Sequence, residues 1–227
     1  MSQQERDTQP TDAMAAPDVA IVDYGLGNIR SVRRGLERTG ATVRLIDEPA
    51  ELETTDAIVL PGVGAFREGV ENAGPFRERL LAAADAGVPI LGICLGMQML
   101  LSSSEEAAHA GEGAAEGLSL IPGQNVRFDA SLTVPHMGWN ELTITRDHPV
   151  FAGIDGEYAY FVHSYYAAPT DTDAIVATTD YGSTVPAVIA TERGNVMGTQ
   201  FHPEKSGAVG LRILEQFVAY TRRIAGG

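Results

Sequence analysis

The stretch Val88-Pro89-Ile90-Leu91-Gly92-Ile93-Cys94-Leu95-Gly96-Met97-Gln98 decides how this chain is read. Its first half is an apolar run of strand length, and residues 95–101 are compatible with a helix. Glycines flank the cysteine at Gly92 and Gly96. That is the pattern of a sharp strand-to-helix turn, with one side chain standing above the end of a parallel sheet. A sulfur held there lies beside the first N–H groups of the helix and the positive end of its dipole, which favour thiolate. A lone cysteine in an apolar run is ordinarily buried and inert. The glycine pair and the change from strand to helix argue instead for a nucleophile.

Outward from this turn, strands alternate with helices. Strands are expected at residues 19–23, 41–46 and 56–60, the last running into the loop Pro61-Gly62-Val63-Gly64-Ala65-Phe66. Helices are expected up to about residue 39 and over residues 67–86, the second interrupted near Gly74-Pro75. Such alternation implies a mostly parallel sheet covered on both faces. Beyond Leu101 the character changes. Residues 109–117 are small and glycine-rich and read as a loop. Strand-like runs follow at 141–145, 158–166, 174–178, 187–192 and 195–201, with Arg193-Gly194 as a hairpin turn between the last two. Residues 206–223 form an amphipathic helix with Val209, Ile213, Leu214, Phe217 and Val218 on its apolar side. The expectation is an α/β fold: a mostly parallel central sheet flanked by helices, with additional antiparallel strands in the C-terminal half. Residues 1–17 are polar and read as a flexible extension, and residues 18–227 as one domain.

Composition narrows the function. The 227 residues carry a net charge of −14, which argues against nucleic acid as a partner. No apolar run is long enough to span a membrane. One cysteine leaves no internal disulfide, fits a reducing cytoplasm, and excludes a multi-cysteine metal site. His109, His136 and His148 lack metal-ligand spacing, so no metal or cofactor is expected. Fifteen of the sixteen basic residues are arginine, leaving Lys205 as the single lysine. An acid-rich, lysine-poor surface suits a salty cytoplasm, where screening removes the self-repulsion. Tyr24-Gly25-Leu26-Gly27-Asn28-Ile29-Arg30 fails as a dinucleotide loop, because Arg30 stands where the third glycine belongs.

A thiolate nucleophile needs a base, and the base an orienting group. His202 lies in Gln200-Phe201-His202-Pro203-Glu204-Lys205-Ser206, at the end of a strand just ahead of the last helix. Glu204 can return to the same face and accept the ring N–H, while Pro203 stiffens the link. Cys94, His202 and Glu204 therefore supply the parts of a triad. The N–H of Leu95 is in position to stabilise an oxyanion, with a second donor expected from Gly62, Val63 or Gly64.

These residues resemble a known family. Gly92-Ile93-Cys94-Leu95-Gly96-Met97-Gln98 with His202-Pro203-Glu204 is similar to the class I glutamine amidotransferases. The segments 61–66, Pro135-His136-Met137-Gly138-Trp139-Asn140, 160–166 and 23–32 further resemble the glutaminase subunits of imidazole glycerol phosphate synthase, over roughly residues 19–222. The resemblance implies that Cys94 attacks the glutamine carboxamide, His202 shuttles protons to the leaving ammonia, and Glu204 orients His202. It implies that Gln98, Glu106 and the backbone at Ser164 and Tyr165 hold the rest of the substrate, with Glu105 as the alternative acidic position. His163 is read as structural. The family implies a (β/α)₈-barrel synthase subunit as partner in a heterodimer, with Trp139, Asn140, Tyr160 and Lys205 at the interface. Competing readings are the glutaminase of another synthase, such as that of pyridoxal phosphate synthesis, a free-standing cysteine hydrolase of γ-glutamyl peptides, and a catalytically dead regulatory subunit.

Overall fold

The computed structural model describes residues 16–106 and 115–226. Most of the expected N-terminal extension and of the 109–117 loop, His109 included, lies outside the described residues. Pro17 is already tied in, its carbonyl accepting the Thr42 N–H at 2.9 Å.

Three strands are buried along almost their whole length, as befits the middle of a sheet covered on both faces. They are β1 (Asp18–Val22), β3 (Ala57–Gly62) and β4 (Ile90–Cys94). β2 (Thr42–Ile46) buries only its last residue and forms the edge. The eight-stranded sheet runs β2-β1-β3-β4-β13-β12-β11-β8, where β8 is Thr143–Ile144, β11 Ile175–Asp180, β12 Thr184–Ala190 and β13 Val196–Thr199. Pairing is parallel from β2 through β13 and antiparallel beyond. The expected α/β class with antiparallel additions is what the chain adopts.

Successive strand residues point to opposite faces, and two apolar clusters result. Val19, Ile21, Val59, Leu91 and Ile93 pack beneath α1 (Ile29–Glu37) and α5 (Gly207–Ala225). Ile213, Leu214 and Phe217 of α5 are buried there, contributing roughly 1.5–3 kcal/mol each. Ala20, Val22, Ile58, Leu60 and Ile90 pack on the other face, with residues of α2 (Phe66–Asn72), α3 (Arg77–Ala86) and α4 (Leu95–Met99). The break near Pro75 is a 3₁₀ turn over Gly74–Phe76.

The structure departs from the sequence expectations in three places that matter for the site. β3 runs two residues further than expected, to Gly62, which lies opposite Cys94 in the β3–β4 register. The single strand expected over 158–166 is two: β9 (Tyr158–His163) pairs with β7 (His136–Glu141), while β10 (Tyr165–Pro169) pairs with β6 (Gly123–Arg127). Ser164 is the corner between them. The strand expected over 141–145 is likewise the end of β7 and the short β8, separated by buried Leu142. β6 completes a small sheet with β5 (Ser103–Ser104). The Arg193-Gly194 turn joins antiparallel β12 and β13, as read.

Candidate active site

Cys94 ends β4 with φ 53° and ψ −106°, a backbone that non-glycine residues avoid. It makes the turn into α4 abrupt and lifts the side chain over the carboxyl end of the sheet. The flanking glycines have a steric cause. A Cβ on Gly96 would sit 1.7 Å from the Leu60 carbonyl, and one on Gly92 2.7 Å from the backbone of Gly96. The turn closes only because neither side chain exists.

His202 follows β13 and caps a 3₁₀ turn, Pro203–Lys205, that leads into α5. Its Nδ1 lies 2.9 Å from Glu204 Oε1, with both side chains almost completely buried, 2% and 1% exposed. Its N–H donates to the Tyr160 carbonyl of β9 at 3.0 Å, and its carbonyl accepts from Ser206 Oγ at 2.7 Å. Nε2 is buried and makes no hydrogen bond of ordinary length and angle, which leaves it open toward Cys94. Burial alone would lower the His202 pKa. The hydrogen bonds and negative charge of Cys94 and Glu204 overcome it and hold the ring up at about 9. Burial, reinforced by the charge of Cys94, pushes the Tyr24 hydroxyl far above its ordinary value, so it stays a neutral donor to the Pro61 carbonyl.

A cavity of about 280 Å³ opens over the sulfur. It brings together Cys94, Leu95, Gln98, Glu106, Val63, Gly64, Ser164, Tyr165 and His202. Gly62 does not line it. That residue packs against Tyr24 and Leu95, where a Cβ would find no room, so Val63 and Gly64 are the loop positions facing the cavity. Of the two adjacent acids, Glu106 faces the cavity and takes the Phe66 N–H at the start of α2 at 2.7 Å, while Glu105 turns to the Arg127 N–H. Gln98 donates to the Tyr165 carbonyl at 2.9 Å. The same carbonyl lies 2.9 Å from His163 Nδ1, and His163 Nε2 lies 3.0 Å from His136 Nδ1. His163 is thus part of the wall, and its burial lowers its pKa to about 3, against the pull of the Tyr165 carbonyl.

Two residues with no role in the sequence reading enter the site. Asn28 Nδ2 donates to Glu204 Oε1 at 3.2 Å from the start of α1. Gln200 Nε2 donates to Cys94 Sγ at 3.8 Å. Gln200 stands two residues before His202, and same-face spacing in extended chain is the signal that points to it. No sequence signal places Asn28, whose contact depends on bringing the first helix against the last.

Beside the cavity, β7 and β9 present an open apolar face. Met137 is 62% exposed, Trp139 54% and Tyr158 51%. Trp139 pairs with Tyr160 across the ribbon, ring centroids 6.0 Å apart, and Lys205 Nζ lies 5.9 Å over the Tyr160 ring. Asn140 falls on the other face by strand alternation; its amide donates to the Asp180 carbonyl at 2.8 Å and its Oδ1 lies 2.8 Å from His136 Nε2. Among the described residues no cluster of metal-ligating side chains occurs, and no helix is long and apolar enough to cross a membrane.

A cysteine in a strand-to-helix turn and a buried His–Glu pair meet at one small cavity, and the family model for glutamine amidotransferase class-I matches residues 20–220. The chain belongs to the class-I glutamine amidotransferases. Within that class it groups with the chains named imidazole glycerol phosphate synthase subunit HisH. It is 65% identical to the one from Halobacterium salinarum, over 94% of this chain and 98% of the relative. It is 67% identical to the one from Natronomonas pharaonis, over 89% and 94%. Both relatives come from halophiles, in keeping with the acidic, lysine-poor composition. Among solved structures, PurLQS from Thermotoga maritima shares the fold, with a TM-score of 0.70 at 20% identity over 90% of this chain and 99% of that one.

Proposed function

We propose that residues 18–227 form a glutaminase that releases ammonia from glutamine and hands it to a (β/α)₈-barrel synthase subunit. That partner makes imidazole glycerol phosphate and an aminoimidazole carboxamide ribonucleotide in histidine biosynthesis. The observation that carries the reading is the buried His202–Glu204 pair, 2.9 Å apart, beside a thiol in a strained strand-to-helix turn. The volume of about 280 Å³ lies at the small end for ligand pockets and suits one amino acid.

His202 Nε2 takes the Cys94 thiol proton, and the sulfur attacks the carboxamide carbon. The oxyanion is stabilised by the Leu95 N–H and a second donor from Val63 or Gly64. His202 returns the proton to the amide nitrogen, the C–N bond breaks and ammonia leaves. A water then gives a proton to His202 and attacks the thioester carbon; the C–S bond breaks, glutamate forms and the thiol is restored. Gln98, Glu106 and the peptide at Ser164-Tyr165 hold the far end of the substrate. Ammonia released into water near neutral pH would be captured as ammonium, so a docked acceptor beside the cavity serves the chemistry. Met137, Trp139, Tyr160 and Lys205 supply the face for it, and a sole working thiol suits a reducing cytoplasm.

The test is synthesis by the complex of this chain with its barrel subunit, supplied with either glutamine or ammonium. Cys94→Ala is expected to abolish glutamine-dependent synthesis and leave the ammonium-dependent rate unchanged. Loss of both rates would mean that the two reactions do not occupy separate sites. Wild-type glutamine hydrolysis that is as fast without the partner as with it would favour a free-standing hydrolase.

A further inference from the structure

Cys94 belongs to an apolar cluster that also holds Leu91, Ile93 and Phe201. Besides His202, two hydrogen-bonding groups reach its Sγ, and they act in opposite directions. The Val162 carbonyl lies 4.0 Å away and can only accept, so it suits the thiol and opposes the thiolate. Gln200 Nε2, at 3.8 Å, can only donate, so it favours the thiolate.

The orientation of the Gln200 amide follows from its neighbours. The Tyr165 carbonyl accepts from Gln98 at 2.9 Å, which fixes the Gln98 NH₂ group on that side. Its other hydrogen then meets Gln200 Oε1 at 3.4 Å. With its oxygen committed to Gln98, Gln200 must turn its NH₂ group to the sulfur. Gln200 is fully buried, and its own N–H is held by the Ala187 carbonyl at 2.8 Å, so the side chain has no solvent alternative. A buried amide bridges the nucleophile and a wall of the substrate cavity.

We propose that Gln200 is a further catalytic residue, whose side-chain N–H stabilises the Cys94 thiolate and keeps the sulfur aimed between His202 and the substrate carbon. The proposal rests on the glutaminase reading and deepens it. When the thiol proton passes to His202 Nε2, the S–H contact with Val162 is lost and the Gln200 donor remains. Being neutral, Gln200 neither competes for that proton nor leaves an unpaired charge once the thioester forms. Its link to Gln98 couples the aim of the sulfur to the residue expected to meet the substrate.

The sole cysteine makes the test direct. In the complex with the barrel subunit, alkylation of Cys94 by iodoacetamide is followed by mass spectrometry from about pH 6 to pH 10. Gln200→Met fills the space without a donor and is expected to move the profile upward by about one pH unit, slowing alkylation near neutrality about tenfold. Gln200→Glu keeps the shape, places a negative charge beside the sulfur and moves the profile further. Glutaminase kcat falls at least as much in both, KM changes less, and ammonium-dependent synthesis is unchanged. A Gln200→Met profile that superimposes on wild type overturns the proposal, even if kcat falls, because packing alone would then explain the loss. Should neither variant fold, the side-chain amide resonance of Gln200 in the wild-type complex decides. It shifts with ionisation of Cys94 if the bond exists and stays fixed if it does not. A wild-type complex that fails to hydrolyse glutamine would overturn the glutaminase reading, while the alkylation profiles would still report whether Gln200 acts on the sulfur.

Discussion

One carboxylate oxygen of Glu204, Oε1, takes both the His202 ring at 2.9 Å and the Asn28 amide at 3.2 Å, while Oε2 is buried without a hydrogen-bond partner. Two donors on one oxygen hold the carboxylate against the ring and keep Nε2 as the basic nitrogen facing Cys94. Glu204→Gln is expected to leave the fold intact and lower kcat by about two to three orders of magnitude, with little change in KM. Asn28→Ala removes a supporting contact only and should cost about three- to tenfold. Equal losses in the two variants, measured as steady-state glutaminase activity, would show that Asn28 is not secondary to Glu204. The charge on His202 has its own signature. Its value of about 9 lies above the unfolded value near 6.5. The stabilisation it gives is therefore complete below about pH 6.5 and fades as pH rises through about 9. Cys94→Ala removes one of the two negative partners, so ring NMR should find His202 titrating at lower pH than in wild type.

At the level of elements, His202 is stitched to the exposed ribbon. His202 N–H bonds the Tyr160 carbonyl, the Tyr160 N–H bonds Ser206 Oγ, and Tyr160 faces Trp139 across β7 and β9. Val162 of the same strand lines the cavity. A partner docked on Trp139 and Tyr160 would press on a strand that touches both His202 and Cys94. Trp139→Ala should weaken association with the barrel subunit at least tenfold, as a buried aromatic anchor does, and reduce stimulation of glutaminase activity in proportion to occupancy. Titration calorimetry with parallel activity assays checks this, and unchanged affinity would remove Trp139 from the interface. The parts of this arrangement differ in how legible they were. β1, β3 and β4 announce themselves because strands buried on both faces are continuous apolar runs, and Cys94 announces itself through its two glycines. β6 and β7 do not. Gly123-Gln124-Asn125-Val126-Arg127 is strand only because β10 lies beside it, and Gly138 interrupts the alternation of β7. The corner at Ser164 was hidden for a related reason, since both halves of 158–166 have strand propensity and only the competing partners β7 and β6 divide them. The Asn28 contact joins residues 176 positions apart, so no local pattern foretells it, whereas Gln200, 106 positions from Cys94, is betrayed only by its same-face spacing from His202.

For the molecule as a whole, a net charge of −14 on 227 residues sets the solvent it needs. Raising salt should raise the unfolding midpoint until the repulsion is screened. Acid acts differently. Burial holds His163 neutral down to about 3, and it also lowers His136 and His148. Folded values below the unfolded value near 6.5 mean that the unfolded chain binds protons the native one refuses. In high salt, where relief of surface repulsion no longer obscures the effect, denaturant unfolding should show stability falling as pH drops from about 6.5 toward about 3. His163→Gln should flatten that slope, and an unaltered slope would assign the acid sensitivity to other groups. The apolar face of β7 and β9 carries a different consequence. Contacts made through opposite charges weaken as ions accumulate, whereas excluded salts strengthen the association of apolar surfaces. A partner docked on Met137, Trp139 and Tyr158, with Lys205 as the one ammonium beside them, would hold by a grip that tightens in the brine that dissolves an ionic contact.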